Sequence, residues 1–197
     1  MKKMSKTIQL KSFLKNISFL TDADCQLFEQ DLEVATFKKK DWFLKEGQVC
    51  QRMGFVNQGS FRMYYLMDGK EINTHFIFEN EFLVDYSSFL HQRASRYYIE
   101  ALENAEIVTF PFSTMQAAYY LSHNWERFGR IMAEQSYEIT TNRVESFLFM
   151  EGKERYQSAL EKYPKVFKRV PLYHIASYLG LERESLSRLR KKNSEEK

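Results

Sequence analysis

The chain of 197 residues contains little cysteine, glycine or proline and no long apolar run. Its two cysteines, Cys25 and Cys50, cannot supply a disulfide framework, a four-cysteine metal site or an iron–sulfur cluster. Seven glycines and three prolines exclude collagen-like and low-complexity architectures. No apolar stretch approaches the roughly 18 residues of a membrane-spanning helix, and no signal-peptide core follows the basic N-terminus. We therefore expect a cytoplasmic protein that has no membrane partner.

The composition permits a hydrophobic core, and the charge is unevenly distributed. Hydrophobic residues make up 44% of the chain and aromatic residues 16%, which suits one large domain or two small ones. Residues 151–197 contain 12 lysines and arginines against seven glutamates, so this segment carries a net charge of +5. A basic segment beside a nearly neutral body favours a polyanionic partner, although a solvated basic surface explains the charge equally well.

The spacing of hydrophobic residues, which distinguishes helices from strands, changes twice along the chain. Residues 7–34 show the spacing of two short helices, and the stretch Thr21-Asp22-Ala23-Asp24 offers N-cap candidates for the second. Residues 36–112 contain short β-type segments separated by turns, and the sequence Asp68-Gly69-Lys70 between two of them predicts a hairpin. This pattern indicates an antiparallel barrel or sandwich. From Ser113 onward the pattern is helical.

A long helical segment runs from about residue 124 to residue 150 without a proline. At 1.5 Å per residue it would extend roughly 40 Å, more than a small domain needs for its own core. Such a helix connects two domains or pairs with a copy of itself. A helix that lies along the barrel is the alternative.

The segment from Pro171 to Lys192 contains two short apolar stripes separated by Gly180. Pro171 stands where a helix can begin, and Gly180 supplies the left-handed conformation that ends one. Two short helices around a glycine turn predict a helix-turn-helix.

The polar side chains of the second predicted helix have the chemistry that reads DNA. Arginine can bind guanine O6 and N7, and glutamate can accept from cytosine N4, so Arg183, Glu184 and Arg188 are candidate base contacts. Serine and lysine suit phosphates. A structural helical hairpin with a solvated basic end is the alternative. The candidate DNA-binding residues are Arg183, Glu184, Ser185, Ser187, Arg188, Arg190, Lys191 and Lys192.

The order of these segments resembles the Crp/Fnr family of transcription regulators over nearly the whole chain. The second predicted helix, Arg183-Glu184-Ser185-Leu186-Ser187-Arg188, is similar to the family's Arg-Glu-Thr-Val-Gly-Arg recognition helix. The segments that resemble the barrel strands of the family are 45–47, 59–65, 68–71, 99–102 and 105–108.

The resemblance implies an α+β protein with three parts. It implies an N-terminal antiparallel β jelly-roll (double-stranded β-helix) domain at residues 1–122, a dimerisation helix at 123–150 and an all-α helix-turn-helix domain at 151–197. The implied function is a sequence-specific transcription regulator that pairs as a homodimer through residues 124–150. Its implied partners are double-stranded DNA and RNA polymerase, and its barrel is the candidate sensor of a small effector.

Two departures from the family pattern change these expectations. In the phosphate-binding cassette, Val84 replaces a glycine, Asp85 replaces a glutamate, and Ser95-Arg96 reverses the usual order, so cyclic AMP is not the expected effector. The alternatives are a different small ligand, or a barrel that is filled with apolar or aromatic side chains and binds no nucleotide. The wing hairpin of many members is absent after the recognition helix, so residues 188–192 are expected to contact phosphates instead. The candidate effector pocket consists of Val84, Asp85, Tyr86, Ser87, Ser95 and Arg96.

No catalytic constellation is visible in the sequence. The four histidines lack the spacing of metal ligands, and neither a glycine-rich phosphate loop nor a nucleophile motif is present. We therefore expect neither an enzyme nor a bound metal or cofactor. The alternative to a DNA-binding regulator is a small-molecule sensor or carrier whose helical tail binds protein.

Overall fold

The computed structural model describes residues 7–195, and the basic N-terminal hexapeptide lies outside this range. The described chain is a mixed α+β protein, as the sequence predicted. Its elements, in chain order, are α1 (Ile8–Lys15), α2 (Asp22–Glu29), β1 (Glu33–Phe37), β2 (Trp42–Leu44), β3 (Arg52–Gln58), β4 (Phe61–Met67), β5 (Lys70–Ile77), β6 (Phe82–Leu83), α3 (Tyr86–His91), β7 (Tyr98–Ala101), β8 (Ala105–Pro111), α4 (Phe112–Leu121), α5 (His123–Phe149), α6 (Gly152–Lys162), α7 (Pro164–Arg169), α8 (Leu172–Leu179) and α9 (Arg183–Glu195).

The strands form two sheets of four strands each. One sheet has the order β1-β8-β3-β6 and the other the order β2-β7-β4-β5. The pairs β1–β8, β3–β8, β3–β6 and β2–β7 are antiparallel. The predicted antiparallel character of the β-rich region is therefore confirmed.

The hairpin predicted at Asp68-Gly69 joins β4 to β5. Both turn residues have positive φ, 50° at Asp68 and 75° at Gly69. This conformation gives the turn the right-handed twist of its strands, and aspartate and glycine adopt it at low cost. Local turn chemistry therefore determines where this pair of strands reverses.

The residues cluster into two compact units. The first unit consists of the described residues up to Met63 together with Phe76–Ala133, and the second of Tyr64–His75 together with the described residues from Glu134 onward. The predicted three-part division of the chain stays a prediction.

Aromatic side chains fill much of the interior of the first unit. Phe55, Phe61 and Phe89 are fully buried. Phe28 of α2 contacts Phe110 of β8 edge to face, with ring centroids 4.9 Å apart. Such pairs contribute about 0.5–1.5 kcal/mol beyond the burial of their apolar area.

A capping box starts α2 at Thr21, the first residue of the stretch that offered N-cap candidates. The Thr21 hydroxyl accepts from the backbone N–H of Asp24, and the Asp24 carboxylate accepts from the backbone N–H of Thr21. Burial by itself raises the pKa of Asp24, but hydrogen bonds from Ser122, Thr21 and Asn124 outweigh that effect and lower the pKa to about 2. The same carboxylate therefore links α2 to the junction of α4 and α5.

The helical region contains the predicted long helix and a short helix, α7. The long helix predicted at 124–150 is present as α5, His123–Phe149. Pro164 follows closely on the end of α6, since proline is disfavoured in a helix interior. Pro164 also occupies the first turn of α7, where its missing N–H costs nothing.

Candidate nucleic-acid interface and candidate effector pocket

Helices α8 and α9 are joined by a tight turn at Gly180. Gly180 has φ 64° and ψ 38°, and the N–H of Leu181 donates to the carbonyl of Ala176 at 2.9 Å. A Cβ atom at position 180 would lie 2.6 Å from Cε1 of Phe147 on α5. Both the backbone conformation and the close approach therefore require glycine here.

Helices α8 and α9 share a small core. Ile175, Ala176 and Leu179 of α8 are buried, and Leu186 of α9 is fully buried. This small core fixes which side of α9 faces outward.

The outward face of α9 carries most of the candidate DNA-binding residues. Ser185 is half-buried and accepts a hydrogen bond from the Arg188 guanidinium at 3.4 Å. Within residues 7–195, the side chains of Arg183 and Glu184 make no hydrogen bond or ion pair, so both are available to an external partner. The exposed members of the set are Arg183, Glu184, Ser187, Arg188, Arg190, Lys191 and Lys192.

Further exposed cations lie on α7. Lys165, Lys168 and Arg169 are all exposed on this short helix. The window 165–192 contains eight basic residues against Glu182 and Glu184, a net charge of +6. This part of the second unit therefore has a strongly positive surface.

A polar contact missed by the sequence analysis joins α8 to the β4–β5 hairpin inside the second unit. The Ser177 hydroxyl donates to the carbonyl of Glu71 at 2.7 Å and accepts from the N–H of Asn73 at 3.0 Å. Asn73 is fully buried, and its side-chain amide lies 3.5 Å from Nδ1 of His174. No local pattern signals this contact, since about a hundred residues separate the two segments.

Arg143 of α5 completes this contact. Its guanidinium donates to the carbonyl of Asn73 at 3.1 Å and lies over the ring of Tyr178, 4.3 Å from the ring centroid. His75 is close enough to experience the charge of Arg143. Burial, together with that charge, lowers the pKa of His75 to about 4, so this imidazole is neutral at pH 7.

The C-terminal half of α5 exposes large apolar side chains. Tyr137 is 74% exposed and Leu148 is 68% exposed, and Val144 lies between them on the same stripe. Tyr137, Thr141, Val144 and Leu148 follow one another at intervals of four, three and four residues, the spacing of a coiled-coil seam. Three of these four side chains are apolar, and Tyr137, Val144 and Leu148 are each more than half exposed.

The polar side chains at the centre of the candidate effector pocket bind one another. The carboxylate of buried Asp85 accepts from the hydroxyl of Ser95 at 2.7 Å and, as N-cap of α3, from the N–H of Ser88 at 3.2 Å. The Ser95 hydroxyl also accepts from the N–H of Tyr97 at 2.9 Å. These groups have their hydrogen-bonding partners within the protein, which leaves less capacity for a ligand.

The other candidate pocket residues are dispersed. Val84 packs against the core of the first unit, and Tyr86 is half-buried, which raises the pKa of its phenol. Ser87 and Arg96 are exposed. The structure therefore brings Asp85 and Ser95 together, but places Ser87 and Arg96 at the surface.

The first unit also contains a buried ion pair that the sequence analysis missed. The Arg62 guanidinium on β4 lies 2.6 Å from the Glu100 carboxylate on β7, and both side chains are nearly inaccessible to solvent. Side chains alternate between the two faces of a strand, so the sequence of β7 assigns Glu100 to one face of the sheet. The sequence does not reveal that this face is covered by other parts of the protein.

Residues 7–195 contain neither a candidate metal site nor a helix that could span a membrane. Among these residues, no three or more His, Cys, Asp or Glu side chains are grouped so that they could hold a metal ion. No helix in the described part of the chain has the length and apolar character needed to cross a membrane.

A groove of about 500 Å³ opens among the helices of the second unit, and we call it the C-terminal groove. Its apolar side comes from α6, α7 and the first residue of α8, and its polar side comes from α9. The lining residues are Tyr156, Leu160, Phe167, Leu172, Ser187, Arg190, Lys191 and Asn193.

Comparison with known sequences identifies one part of the chain. Residues 34–119 match the family model of the cyclic nucleotide-binding domain. Among curated proteins, none matches the chain. The matched range begins in β1 and ends in α4, so it covers both sheets.

Comparison with solved structures extends the match to the C-terminal helices. FixK2 from Bradyrhizobium japonicum superposes with a TM-score of 0.73 at 16% identity, over 84% of this chain and 85% of that chain. A Crp/Fnr family protein from Eubacterium rectale gives 0.72 at 18% identity, over 94% and 88%. CLP, a c-di-GMP responsive global regulator from Xanthomonas campestris, gives 0.71 at 16% identity, over 89% and 93%. The chain has the fold of these proteins. At such identities the likeness establishes the fold alone.

Proposed function

We propose that the protein is a sequence-specific DNA-binding transcription regulator that acts as a homodimer. The observation that carries the proposal is the outward face of α9, where Arg183, Glu184 and Arg188 are exposed above a buried Leu186. In this proposal α8 and α9 are a helix-turn-helix, and α9 enters the major groove. Arg183, Glu184 and Arg188 contact base edges there.

The remaining polar residues of α9 supply the phosphate contacts. Ser185, Ser187, Arg190, Lys191 and Lys192 flank the base-reading positions on the same helix. Exposed cations on α7 extend the same positive surface. Release of counterions from DNA then provides a large, salt-dependent share of the affinity.

The exposed apolar stripe of α5 supports the homodimer. Pairing of two copies along Tyr137, Val144 and Leu148 would bury side chains that are otherwise largely in water. A symmetric pair would present two copies of α9 about one DNA turn apart, to a palindromic site. Sedimentation of Tyr137→Glu/Leu148→Glu should show a monomer, whereas Ile8→Glu, the control on α1, should leave the dimer intact.

The first unit is, in this proposal, a jelly-roll sensor domain for a small effector other than cyclic AMP. Three observations support the exclusion of cyclic AMP: Val84 stands where a bare backbone would be needed, Asp85 is bound by Ser95, and Arg96 is exposed. Titration with cyclic AMP should therefore leave the thermal unfolding temperature unchanged. A saturable rise of that temperature would contradict this part of the proposal. RNA polymerase is a proposed further partner.

The test of DNA binding begins with selection of duplexes from a random library by the full chain. The affinity for the selected duplex is then measured by fluorescence anisotropy as the salt concentration rises. We expect a loss of at least about a hundredfold between roughly 50 and 200 mM salt. A negligible salt dependence would favour the rival function, a small-molecule sensor or carrier whose helical tail binds protein.

A matched pair of triple variants tests where the DNA binds. Arg190→Gln/Lys191→Gln/Lys192→Gln removes three cations from α9, and Lys38→Gln/Lys39→Gln/Lys40→Gln removes three exposed cations from the first unit. The α9 variant should weaken binding and flatten the salt dependence, whereas the control should change neither. Equal effects of both variants would contradict the assignment of α9.

A further inference from the structure

The C-terminal groove combines an aromatic floor with a cationic rim. Tyr156 of α6 is almost fully buried and contacts Phe167 of α7 edge to face, with centroids 5.7 Å apart at 78°. Leu160 lines the same side. Such a floor favours a flat apolar group, because aromatic rings associate edge to face or offset.

The opposite side of the groove is polar and basic. Arg190 and Lys191 follow Ser187 by three and four residues on α9, so both lie on the same side of the helix as Ser187. None of the eight lining residues is acidic. Glu161, the neighbour of Leu160 in sequence, is exposed but does not line the groove. The rim is therefore suited to an anion.

We propose that the C-terminal groove binds an aromatic carboxylate. A neutral apolar molecule would leave the guanidinium of Arg190 unused, and an inorganic anion would leave the floor formed by Tyr156 and Phe167 unused. An aromatic ring bearing a carboxylate satisfies both sides. The volume of about 500 Å³ lies within the range of small-molecule sites.

Occupation of the groove has a consequence for DNA binding, and this consequence rests on the proposed function. Arg190 and Lys191 line the groove and are also candidate phosphate contacts. A bound carboxylate neutralises part of their charge and therefore weakens the attraction of α9 to DNA. Because linkage is reciprocal, DNA weakens the binding of the carboxylate by the same factor.

The site itself is tested without DNA, by calorimetric titration of the full chain with 2-naphthoate and with its neutral analogue 2-naphthamide. We expect saturable binding of the carboxylate and at least about tenfold weaker binding of the amide, since a charge-assisted hydrogen bond is lost. Equal affinity for both probes, or no binding of 2-naphthoate at millimolar concentration, would overturn the proposal.

Variants locate the bound molecule. Arg190→Gln should weaken binding of 2-naphthoate, and Leu160→Trp should abolish it by filling the floor. Lys162→Gln removes an exposed cation that does not line the groove and should leave the affinity unchanged. Thermal unfolding of each variant shows whether its fold is retained. Unchanged affinity in the folded Arg190→Gln variant would place the binding elsewhere and overturn the proposal.

The effect on DNA is measured separately, with the selected duplex and saturating 2-naphthoate. The carboxylate should lower the affinity for DNA severalfold, and the amide should leave it unchanged. Unchanged affinity for DNA with the groove occupied would overturn the linkage. A chain that binds no DNA even without 2-naphthoate would instead refute the proposed function, while the calorimetric test of the groove would still stand.

Discussion

The hydroxyl of Ser177 on α8 holds two backbone groups of the β4–β5 hairpin at once, accepting from the N–H of Asn73 and donating to the carbonyl of Glu71. The guanidinium of Arg143 on α5 donates in turn to the carbonyl of Asn73. One hydroxyl therefore fixes the first helix of the proposed helix-turn-helix against a β-hairpin within the second unit.

Substitution of Ser177 by alanine should destabilise this contact. The variant removes the hydroxyl to which the N–H of buried Asn73 donates, and the loss of such a hydrogen bond costs roughly 1–3 kcal/mol. Hydrogen exchange should show faster opening of Asn73 and of α8. Ser158→Ala on α6 is the control, because the Ser158 side chain makes no hydrogen bond within residues 7–195. Equal exchange in both variants would contradict the importance of the contact.

Mild acid should destabilise the second unit through His75. The pKa of about 4 in the folded state lies below the ordinary histidine pKa of 6.5, so between these two pH values the unfolded chain binds a proton that the folded chain does not. The stabilisation is present above pH 6.5 and is lost as the pH falls toward 4, by about 2 kcal/mol between pH 7 and pH 5.

Denaturant unfolding of His75→Gln at pH 7 and pH 5 measures this effect. The variant should lose most of the difference between the two pH values. His123→Gln, which alters a fully exposed histidine, should keep the wild-type profile. A wild-type pH profile in His75→Gln would show that another group is responsible.

Gly180→Ala should destabilise the turn between α8 and α9 for two reasons. The left-handed conformation costs a non-glycine residue about 1–2 kcal/mol, and the new Cβ would meet the Phe147 ring at 2.6 Å. Gly69→Ala carries only the cost of the left-handed backbone, since Gly69 has φ 75° but no atom within 4 Å of the position that a Cβ would take. Chemical denaturation should therefore show a larger loss for Gly180→Ala than for Gly69→Ala. Equal losses would exclude the contact with Phe147.

Glu100→Gln should lower the free energy of unfolding of the first unit by roughly 3–5 kcal/mol, because it removes the carboxylate charge that lies 2.6 Å from the buried Arg62 guanidinium. The control is Glu33→Gln, which removes the carboxylate from the half-exposed pair between Glu33 and Arg52 and should cost much less, because solvent reaches the Glu33 side chain. Arg62→Met/Glu100→Leu should recover much of the loss. A loss no larger than that of Glu33→Gln would contradict the importance of burial.

The elements with local signals were predictable from the sequence. The Asp68-Gly69 turn, the capping box at Thr21 and the left-handed stop at Gly180 depend on the chemistry of a few adjacent residues, and the structure has each of them in place.

The contacts between distant segments were not predictable. Nothing in the sequence pairs Asn73 with Ser177, or Arg62 with Glu100, because hydrophobic periodicity assigns a face to a residue but not a partner. The pairing of Asp85 with Ser95 was missed for the same reason, although both residues were named as candidates. Their mutual hydrogen bond changes what the pocket can offer to a ligand.

The most direct test of the account compares the affinity of wild type and Arg188→Ala for the selected duplex and for a duplex of scrambled sequence. If α9 reads bases, Arg188→Ala should lose about 1–3 kcal/mol on the selected duplex and much less on the scrambled one. Lys39→Ala should lose little on either duplex. An equal loss on both duplexes for Arg188→Ala would contradict the central claim that this helix recognises DNA sequence.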